Sequence, residues 1–143
     1  TSLIPVSPAH AASVWPTLKP YVARSFPEVA GPPTEAALSA ILKALVGGSH
    51  TLWLGLDRDK IVGGLITQIM AEFTGAKNLW VVAFFLQPEA PREIVRVGMD
   101  TLRLYAVQRG CTKVVAFTKS PAVIGYVKEL GGNVDMRFAQ LEV

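Results

Sequence analysis

The stretch from residue 78 to residue 118 constrains the fold more than any other part of the chain. Residues 78–86 form a nearly continuous apolar run rich in β-branched and aromatic side chains, which is typical of a strand buried on both faces. A helical pattern follows from Arg92 to about Gln108, Gly110 ends it, and residues 112–118 are again strand-like. This order predicts a βαβ crossover at the centre of the domain.

An opening strand (2–6) and a first helix precede this unit. The pair Ser7-Pro8 supplies an N-cap residue and a proline suited to the first helical position. Pro16 and Pro20 each lack a backbone donor, so we expect this helix to be kinked or split into two short pieces.

A second helix is predicted between Thr34, which can cap its start, and the glycines at 47–48, which can end it. Gly63-Gly64 lies in a predicted strand and indicates a bulge or a close backbone approach. The other predicted elements are a hairpin (51–56 and 61–73), a short helix (122–130) and a closing strand (134–143). The predicted order is strand, two helices, three-strand meander, helix, strand, helix, strand.

Composition narrows the functional classes. A chain of 143 residues is expected to form one domain, here 1–143. Half of the residues are hydrophobic and 17% are charged, which fits either an apolar surface that binds a protein partner or simply a globular domain rich in Ala, Val and Leu. The basic residues are scattered along the chain, which makes nucleic acid an unlikely ligand.

Cysteine, histidine and hydropathy patterns set further expectations. Cys111 is the only cysteine, which fits a reducing compartment, and His10 and His50 lie too far apart in sequence to predict a zinc site. No apolar run is long enough to span a membrane, and the opening residues do not have the pattern of a signal peptide. We therefore expect a cytoplasmic location rather than secretion.

The order of the elements and three local stretches resemble the GNAT superfamily of acyl-CoA-dependent N-acyltransferases. The stretches are Gln87-Pro88-Glu89, residues 108–115 and residues 128–131. The resemblance implies an α/β (α+β) fold, with a central mixed, mostly antiparallel sheet flanked by about four helices. It also implies acetyl-CoA as the cofactor.

In this family a glycine-containing loop at the start of the helix after the fourth strand holds the cofactor pyrophosphate. The corresponding residues 90–95 contain no glycine, Pro91 lacks an N–H donor, and Glu93 adds negative charge. The loop therefore argues for no bound cofactor. If acyl-CoA does bind, the residues implied are Phe85 and Leu86 of the fourth strand, together with Arg92 and Arg96.

The resemblance also bears on catalytic residues. The family's tyrosine in the last helix, which protonates the departing thiolate, aligns with Val127, and Tyr126 lies one residue earlier, about 100° away on a helix. Tyr126 is either this acid or a packed aromatic residue. Glu72, near the end of the third strand, is the candidate general base, the alternative being an exposed residue before a turn.

Residues 14–21 and 50–54 resemble small GNAT-like proteins encoded among the head and tail genes of tailed bacteriophages. This resemblance implies a catalytically degenerate GNAT-fold protein that acts by protein binding in a phage virion or its assembly, in the host cytoplasm or the particle. The alternative is a divergent acetyl-CoA-dependent N-acetyltransferase. That alternative requires a gap between the fourth and fifth strands that the side chains of Trp80, Phe84 and Phe117 do not fill.

Overall fold

The computed structural model describes residues 1–25, 32–136, 139 and 141–143. Within these residues the chain forms five strands and four helices. The elements, in chain order, are β1 (Ser2–Val6), α1 (Pro8–Ser25), α2 (Glu35–Gly47), β2 (His50–Asp57), β3 (Lys60–Ala71), β4 (Lys77–Leu86), α3 (Glu93–Gln108), β5 (Cys111–Ala116) and α4 (Pro121–Glu129).

One mixed sheet carries the fold, with the strands in the order β1-β2-β3-β4-β5. The first four strands pair antiparallel, and β5 pairs parallel to β4 through the crossover helix α3. The predicted fold class and the βαβ unit are therefore confirmed. No helix of the described residues combines the length and apolarity needed to cross a membrane.

Apolar side chains on the two faces of the sheet form two cores. On one face, α1 and α2 cover a cluster that includes Trp15, Leu18 and Ile66. On the other face, α3 covers a cluster that includes Trp53 and Leu79. The strands feed both clusters because alternate side chains point to opposite faces.

Two irregularities shift the strand register. Gly55 pairs with Gly63 but Leu56 pairs with Ile61, so Val62 is an extra residue in β3. Likewise Ile66 pairs with Ala83 but Thr67 pairs with Val81, so Val82 is an extra residue in β4. Both are β-bulges, which bend a strand and re-aim its side chains.

The glycine pair at 63–64 marks a close approach between strands, as the sequence indicates. A Cβ on Gly63 would lie 2.7 Å from the carbonyl oxygen of Phe85, and one on Gly64 would lie 2.9 Å from that of Trp53. These positions sit beside the β3 bulge. Glycine is required there because neighbouring backbone occupies the space of a side chain.

Of the two outcomes expected for α1, kinked or split, the split is wrong, because α1 is one helix of 18 residues with Pro16 and Pro20 inside it. Both prolines are exposed, while Ala11, Trp15, Leu18 and Val22 form the buried stripe. The carbonyl groups that have no N–H partner because of the prolines therefore lie on the solvent-exposed side of the helix, where water can bind them. Burial of the stripe holds the helix together across the missing bonds.

The ends of α2 and the buried face of α3 test finer predictions. Thr34 caps α2 by accepting a hydrogen bond from the N–H of Ala37, and Gly48 ends it in the left-handed conformation at φ 83°. Both assignments are confirmed. In α3 the buried residues are Ile94, Gly98, Leu102 and Ala106, although the spacing of apolar residues in the sequence also predicts a stripe with Val95 and Met99 in place of the first two.

The predicted closing strand is not seen. Residues 133–136, 139 and 141–143 belong to no strand, while residues 137, 138 and 140 of that segment lie outside the described residues. The Pro- and Gly-rich stretch 26–33, which the sequence predicts to connect the first two helices, also lies mostly outside the described residues. Among the described residues β5 is therefore an edge strand.

Candidate functional site

The pairing between β4 and β5 ends part-way along β4. Their pairing runs from Lys77 with Cys111 to Val81 with Ala116, where β5 ends, while β4 continues to Leu86. The edge of β4 that faces away from β3 therefore has no strand partner from Val82 onward among the described residues. Its main-chain N–H and C=O groups are available to a ligand there.

The β4 bulge lies where the strands part. Val82 is the extra residue, and both Val82 and Ala83 contribute to the core beneath α1 and α2. The sequence gives no sign of this bulge, because the run from Leu79 to Phe85 is apolar throughout and a change of face leaves its pattern unaltered. Sequence reasoning therefore missed Val82.

Two aromatic rings contact each other at the point of separation. The Trp80 and Phe117 rings lie 5.3 Å apart between centroids and are inclined at 49°. They meet where the last strand pairs, Trp80–Val115 and Val81–Ala116, are made. Beyond these pairs β4 extends five residues further, to Leu86.

The loop after β4 is tied to neighbouring strands. The N–H of Gln87 donates to the Val62 carbonyl at 2.8 Å, and the N–H of Ala90 donates to the Gln87 carbonyl at 3.0 Å. Glu89 pairs with Lys60 at 3.2 Å. A hydrogen bond from the Glu89 backbone, followed by one from the Lys60 side chain, holds the pKa of Glu89 below its usual value.

The first turn of α3 has no side-chain cap. Arg92 occupies the N-cap position in a helical conformation and makes no capping bond, whereas Thr34 caps α2 and Ser120 caps α4. The Glu93 carboxylate accepts a hydrogen bond from the Thr1 hydroxyl at 2.6 Å. The negative charge that the sequence places in this turn is therefore engaged with the chain terminus.

The four residues implied in cofactor binding lie around this loop. Phe85 is half-buried, and its ring stacks on Tyr21 of α1 with centroids 5.2 Å apart. A ligand at this edge would therefore contact the main-chain groups of Phe85 rather than its ring. Leu86 is exposed. Arg92 and Arg96 are also exposed, and neither forms a salt bridge within the described part of the chain.

Glu72 lies at the other end of β4. Its carboxylate accepts hydrogen bonds from Asn78 at 2.6 Å and Lys113 at 3.2 Å. These bonds, with Asn78 contributing most, hold the pKa of Glu72 below its usual value. Since β4 is 10 residues long, Glu72 lies about 30 Å from the loop after β4. Its role as a base stays a prediction, and this position and low pKa weigh against it.

Tyr126 lies in α4, which contains no fully buried residue. Its side chain is half-buried, and its hydroxyl makes no hydrogen bond recorded in the described residues. The hydroxyl is therefore available to a ligand. Neither the acid role nor the packing role is decided by this position.

No group of three or more His, Cys, Asp or Glu side chains that could hold a metal ion is found in the ranges that the structure describes. His50 is half-buried and lies at the start of β2, with Ser49 Oγ 3.0 Å from its Nδ1. Burial lowers the pKa of His50. It is therefore neutral at pH 7, and it lies away from the loop after β4.

Solved structures with the same fold are acetyltransferases. The chain superimposes on a ribosomal-protein-alanine N-acetyltransferase from Brucella melitensis biovar Abortus 2308 with a TM-score of 0.69 at 16% identity, covering 100% of both chains. It superimposes on a predicted acetyltransferase with acetyl-CoA from Clostridium acetobutylicum with a TM-score of 0.70 at 12% identity, covering 99% of this chain and 95% of the other.

A third similar structure is AAC(6')-Iy in complex with the bisubstrate analogue CoA-S-monomethyl-acetylneamine. It has a TM-score of 0.70 at 13% identity, covering 99% of this chain and 97% of that one. No family model and no curated protein matches the sequence. The resemblance to phage proteins gains no support from these structures. The mixed five-strand sheet with four helices has the fold of the GNAT acetyltransferases.

Proposed function

We propose that this protein binds acetyl-CoA and transfers the acetyl group to an amine, as a divergent N-acetyltransferase. The observation that carries the proposal is that β4 continues past its last pair with β5, Val81 with Ala116, where β5 ends. This continuation exposes a strand edge directly before the N-terminus of α3. These two features together suit a ligand with amide groups at one end and phosphates at the other.

The free edge of β4 supplies the amide-binding half. From Val82 to Leu86 its outward N–H and C=O groups have no strand partner among the described residues. An extended chain bearing amides can pair with such an edge as a further strand would. Phe85 and Leu86 contribute through their main chain, because the Phe85 ring packs against Tyr21.

The start of α3 supplies the phosphate-binding half. Its first turn is without a side-chain cap, and the partial positive charge of a helix N-terminus favours an anion. Arg92 and Arg96 are exposed and without salt-bridge partners in the described residues. The acidic residues of the region are engaged elsewhere, Glu89 with Lys60 and Glu93 with Thr1.

Arginine charge takes the place of the missing glycines. A glycine loop surrounds a pyrophosphate with backbone N–H groups. Here Pro91 has no N–H, and the branched side chains of Ile94 and Val95 leave fewer N–H groups accessible. Ile94 is buried against the sheet at 5% exposure, so its bulk faces the core rather than the ligand side. A guanidinium binds phosphate through two parallel hydrogen bonds, which is the contact we assign to Arg92 and Arg96.

The residues present fit the cofactor. When bound, acetyl-CoA would supply a thioester whose acetyl group can pass to an amine; the C–S bond is exchanged for a C–N bond, and the proton that the amine loses balances the one that the thiolate takes up. The chain holds and orients the reactants, with the β4 bulge at Val82 re-aiming the main chain where the strands part. The half-buried Tyr126 hydroxyl is the group to which we assign proton delivery to the thiolate.

The test is calorimetric titration of the full chain with acetyl-CoA. We expect saturable binding, with a Kd between about 1 μM and 1 mM. The double substitution Arg92→Gln/Arg96→Gln removes charge-assisted bonds and should weaken binding about tenfold or more. The matched control is Arg103→Gln, an exposed arginine on the same helix, about 10 Å beyond Arg96 along its axis.

No binding at millimolar acetyl-CoA would overturn the proposal. So would an equal loss of affinity in the Arg103 variant, because the contact would then be nonspecific charge attraction. For the proton, Tyr126→Phe should lower the acetylation rate by about 10²-fold or more without changing acetyl-CoA affinity. An unchanged rate would return Tyr126 to a packing role.

A further inference from the structure

The structure also contains a depression at the opposite end of the sheet from the loop after β4. Three chain connections meet there: the turn from β1 into α1, the turn from α2 into β2, and the last turns of α3. It encloses about 320 Å³, at the small end of the range for small-molecule sites. Ser7, Pro8, His50, Thr51, Tyr105 and Arg109 are the lining residues that bear on its chemistry.

We propose that this depression binds a small phosphate-bearing molecule through Arg109. No Asp or Glu is among its lining residues, so the guanidinium is not neutralised from within. No salt bridge involves Arg109 in the described ranges. Its recorded side-chain contact is the Tyr105 ring, with the guanidinium carbon 4.8 Å from the centroid.

This ring contact orients the arginine. A guanidinium stacked on an aromatic face keeps its N–H groups in the plane, free to bind an oxyanion at the edge. Tyr105 is in turn fixed by the core, because its ring meets the buried Trp53 ring edge-on at 4.9 Å. The charged group is therefore held on a rigid support before any ligand arrives.

The rest of the lining supplies neutral donors. Thr51 and Tyr105 carry hydroxyls without a recorded hydrogen bond in the described residues, and the first turn of α1 adds its partial positive charge at Pro8. The His50 ring also lines the depression, but it already contacts Ser49 Oγ and the Gln68 side chain. One full positive charge with several donors around it suits the three oxygens of a phosphate monoester better than a carboxylate.

The test is titration of the 15N-labelled full chain with inorganic phosphate, in the Arg92→Gln/Arg96→Gln background. That background removes the arginines of the proposed cofactor site, so the outcome does not depend on the proposed acetyltransferase function. Ionic strength is held constant with chloride. We expect saturable shifts at the amides of Gly48, Thr51 and Arg109, and smaller shifts with acetate.

Adding Arg109→Gln should weaken phosphate binding at least tenfold, whereas adding Arg103→Gln should leave it unchanged. Thr51→Val keeps the shape of the side chain and should weaken phosphate binding severalfold. This variant tests the site if the Arg109 variant unfolds. Shifts that do not saturate, that chloride reproduces, or that survive Arg109→Gln would overturn the site.

Discussion

At the scale of single residues, Glu72, the candidate base, also links neighbouring strands. Its carboxylate receives hydrogen bonds from Asn78 of β4 and Lys113 of β5, just after β3 ends at Ala71. Three strands are thereby linked at one end of the sheet. The Asn78 side chain is buried, and within the described part of the chain its Oδ1 has no partner, so the hydrogen bond to Glu72 is the one that its amide makes there.

The Glu72 link should depend on pH. The pKa of Glu72 is lowered in the folded state, so its ionised form stabilises the fold above the unfolded pKa, and this contribution is lost as pH falls through the folded pKa. We expect Glu72→Gln to lower the free energy of unfolding at pH 7, with the difference from the parent disappearing at an acidic pH below the folded pKa. Urea unfolding at both pH values measures it.

In the same variant the rate of acetyl transfer should be unchanged, because Glu72 lies at the far end of β4 from the proposed cofactor site. A large loss of rate with normal stability would restore Glu72 as a base.

The close approach at Gly64 gives a second residue-scale prediction. A Cβ there would lie 2.8 Å from ring carbons of Phe85 and 2.9 Å from the Trp53 carbonyl oxygen. Gly64→Ala should therefore cost about 1–3 kcal/mol of stability by overpacking. Thermal or urea unfolding measures the change.

The matched control is Gly125→Ala in α4, where a Cβ would meet nothing within 4 Å. It should stabilise by about 0.5–1 kcal/mol. Equal destabilisation by both substitutions would contradict the close-approach argument.

At the scale of elements, local chemistry predicts helix starts and stops better than it predicts continuity. Thr34 and Gly48 act as the sequence indicates, because caps are made by adjacent residues. The continuity of α1 through Pro16 depends on which face is buried, and that is decided by the sheet beneath it. The closing strand was predicted from alternation alone, but a strand must also pair with the edge of a sheet, and alternation does not decide whether it does.

Helix caps give the element-scale prediction. Thr34→Ala and Ser120→Ala remove the acceptors for the N–H groups of Ala37 and Val123, and each should cost about 0.5–2 kcal/mol. Arg92→Ala at the start of α3 should cost less, because Arg92 makes no capping bond. Urea unfolding of the three variants measures the contrast. An equally large loss at Arg92 would show that α3 is capped after all.

At the scale of the whole molecule, one sheet belongs to both cores. Trp15 lies in the core beneath α1 and α2, and Trp53 lies in the core beneath α3. Leu52 and Trp53 are adjacent in β2 yet feed different cores. Loss of either core would strip one face of every central strand, so we expect the two to unfold together.

The tryptophans test this cooperativity. Variants that retain only Trp15 or only Trp53, with the others changed to Phe, report on each core by fluorescence. Within each variant the fluorescence transition should coincide with that of far-ultraviolet circular dichroism. Transitions that separate by several degrees would show that the cores unfold independently.

The element order and the mixed sheet could be predicted from the sequence, because the βαβ unit at 78–118 permits few arrangements. The site was harder to predict. The sequence of residues 90–95 does not show that Ile94 is buried in the core or that the Thr1 hydroxyl donates to Glu93. Contacts between residues so far apart in sequence have no local signal. The same holds for the depression in which Arg109 stacks on Tyr105. Ser7 and Thr51 also line it, and only folding brings these residues together.

The additional residue in β4 has a consequence for how chains of this kind can diverge. Before Val82, odd-numbered side chains such as Leu79 and Val81 face α3; after it, Ala83 and Phe85 face α1 and α2. Deleting Val82 would remove the bulge and leave Ala83 and Phe85 on their present face, because the side chains would then alternate without interruption from Val81 onward. Deleting a residue after the bulge, such as Phe84, would instead turn Phe85 towards α3, so we expect this segment to lose Val82 more readily than any residue that follows it.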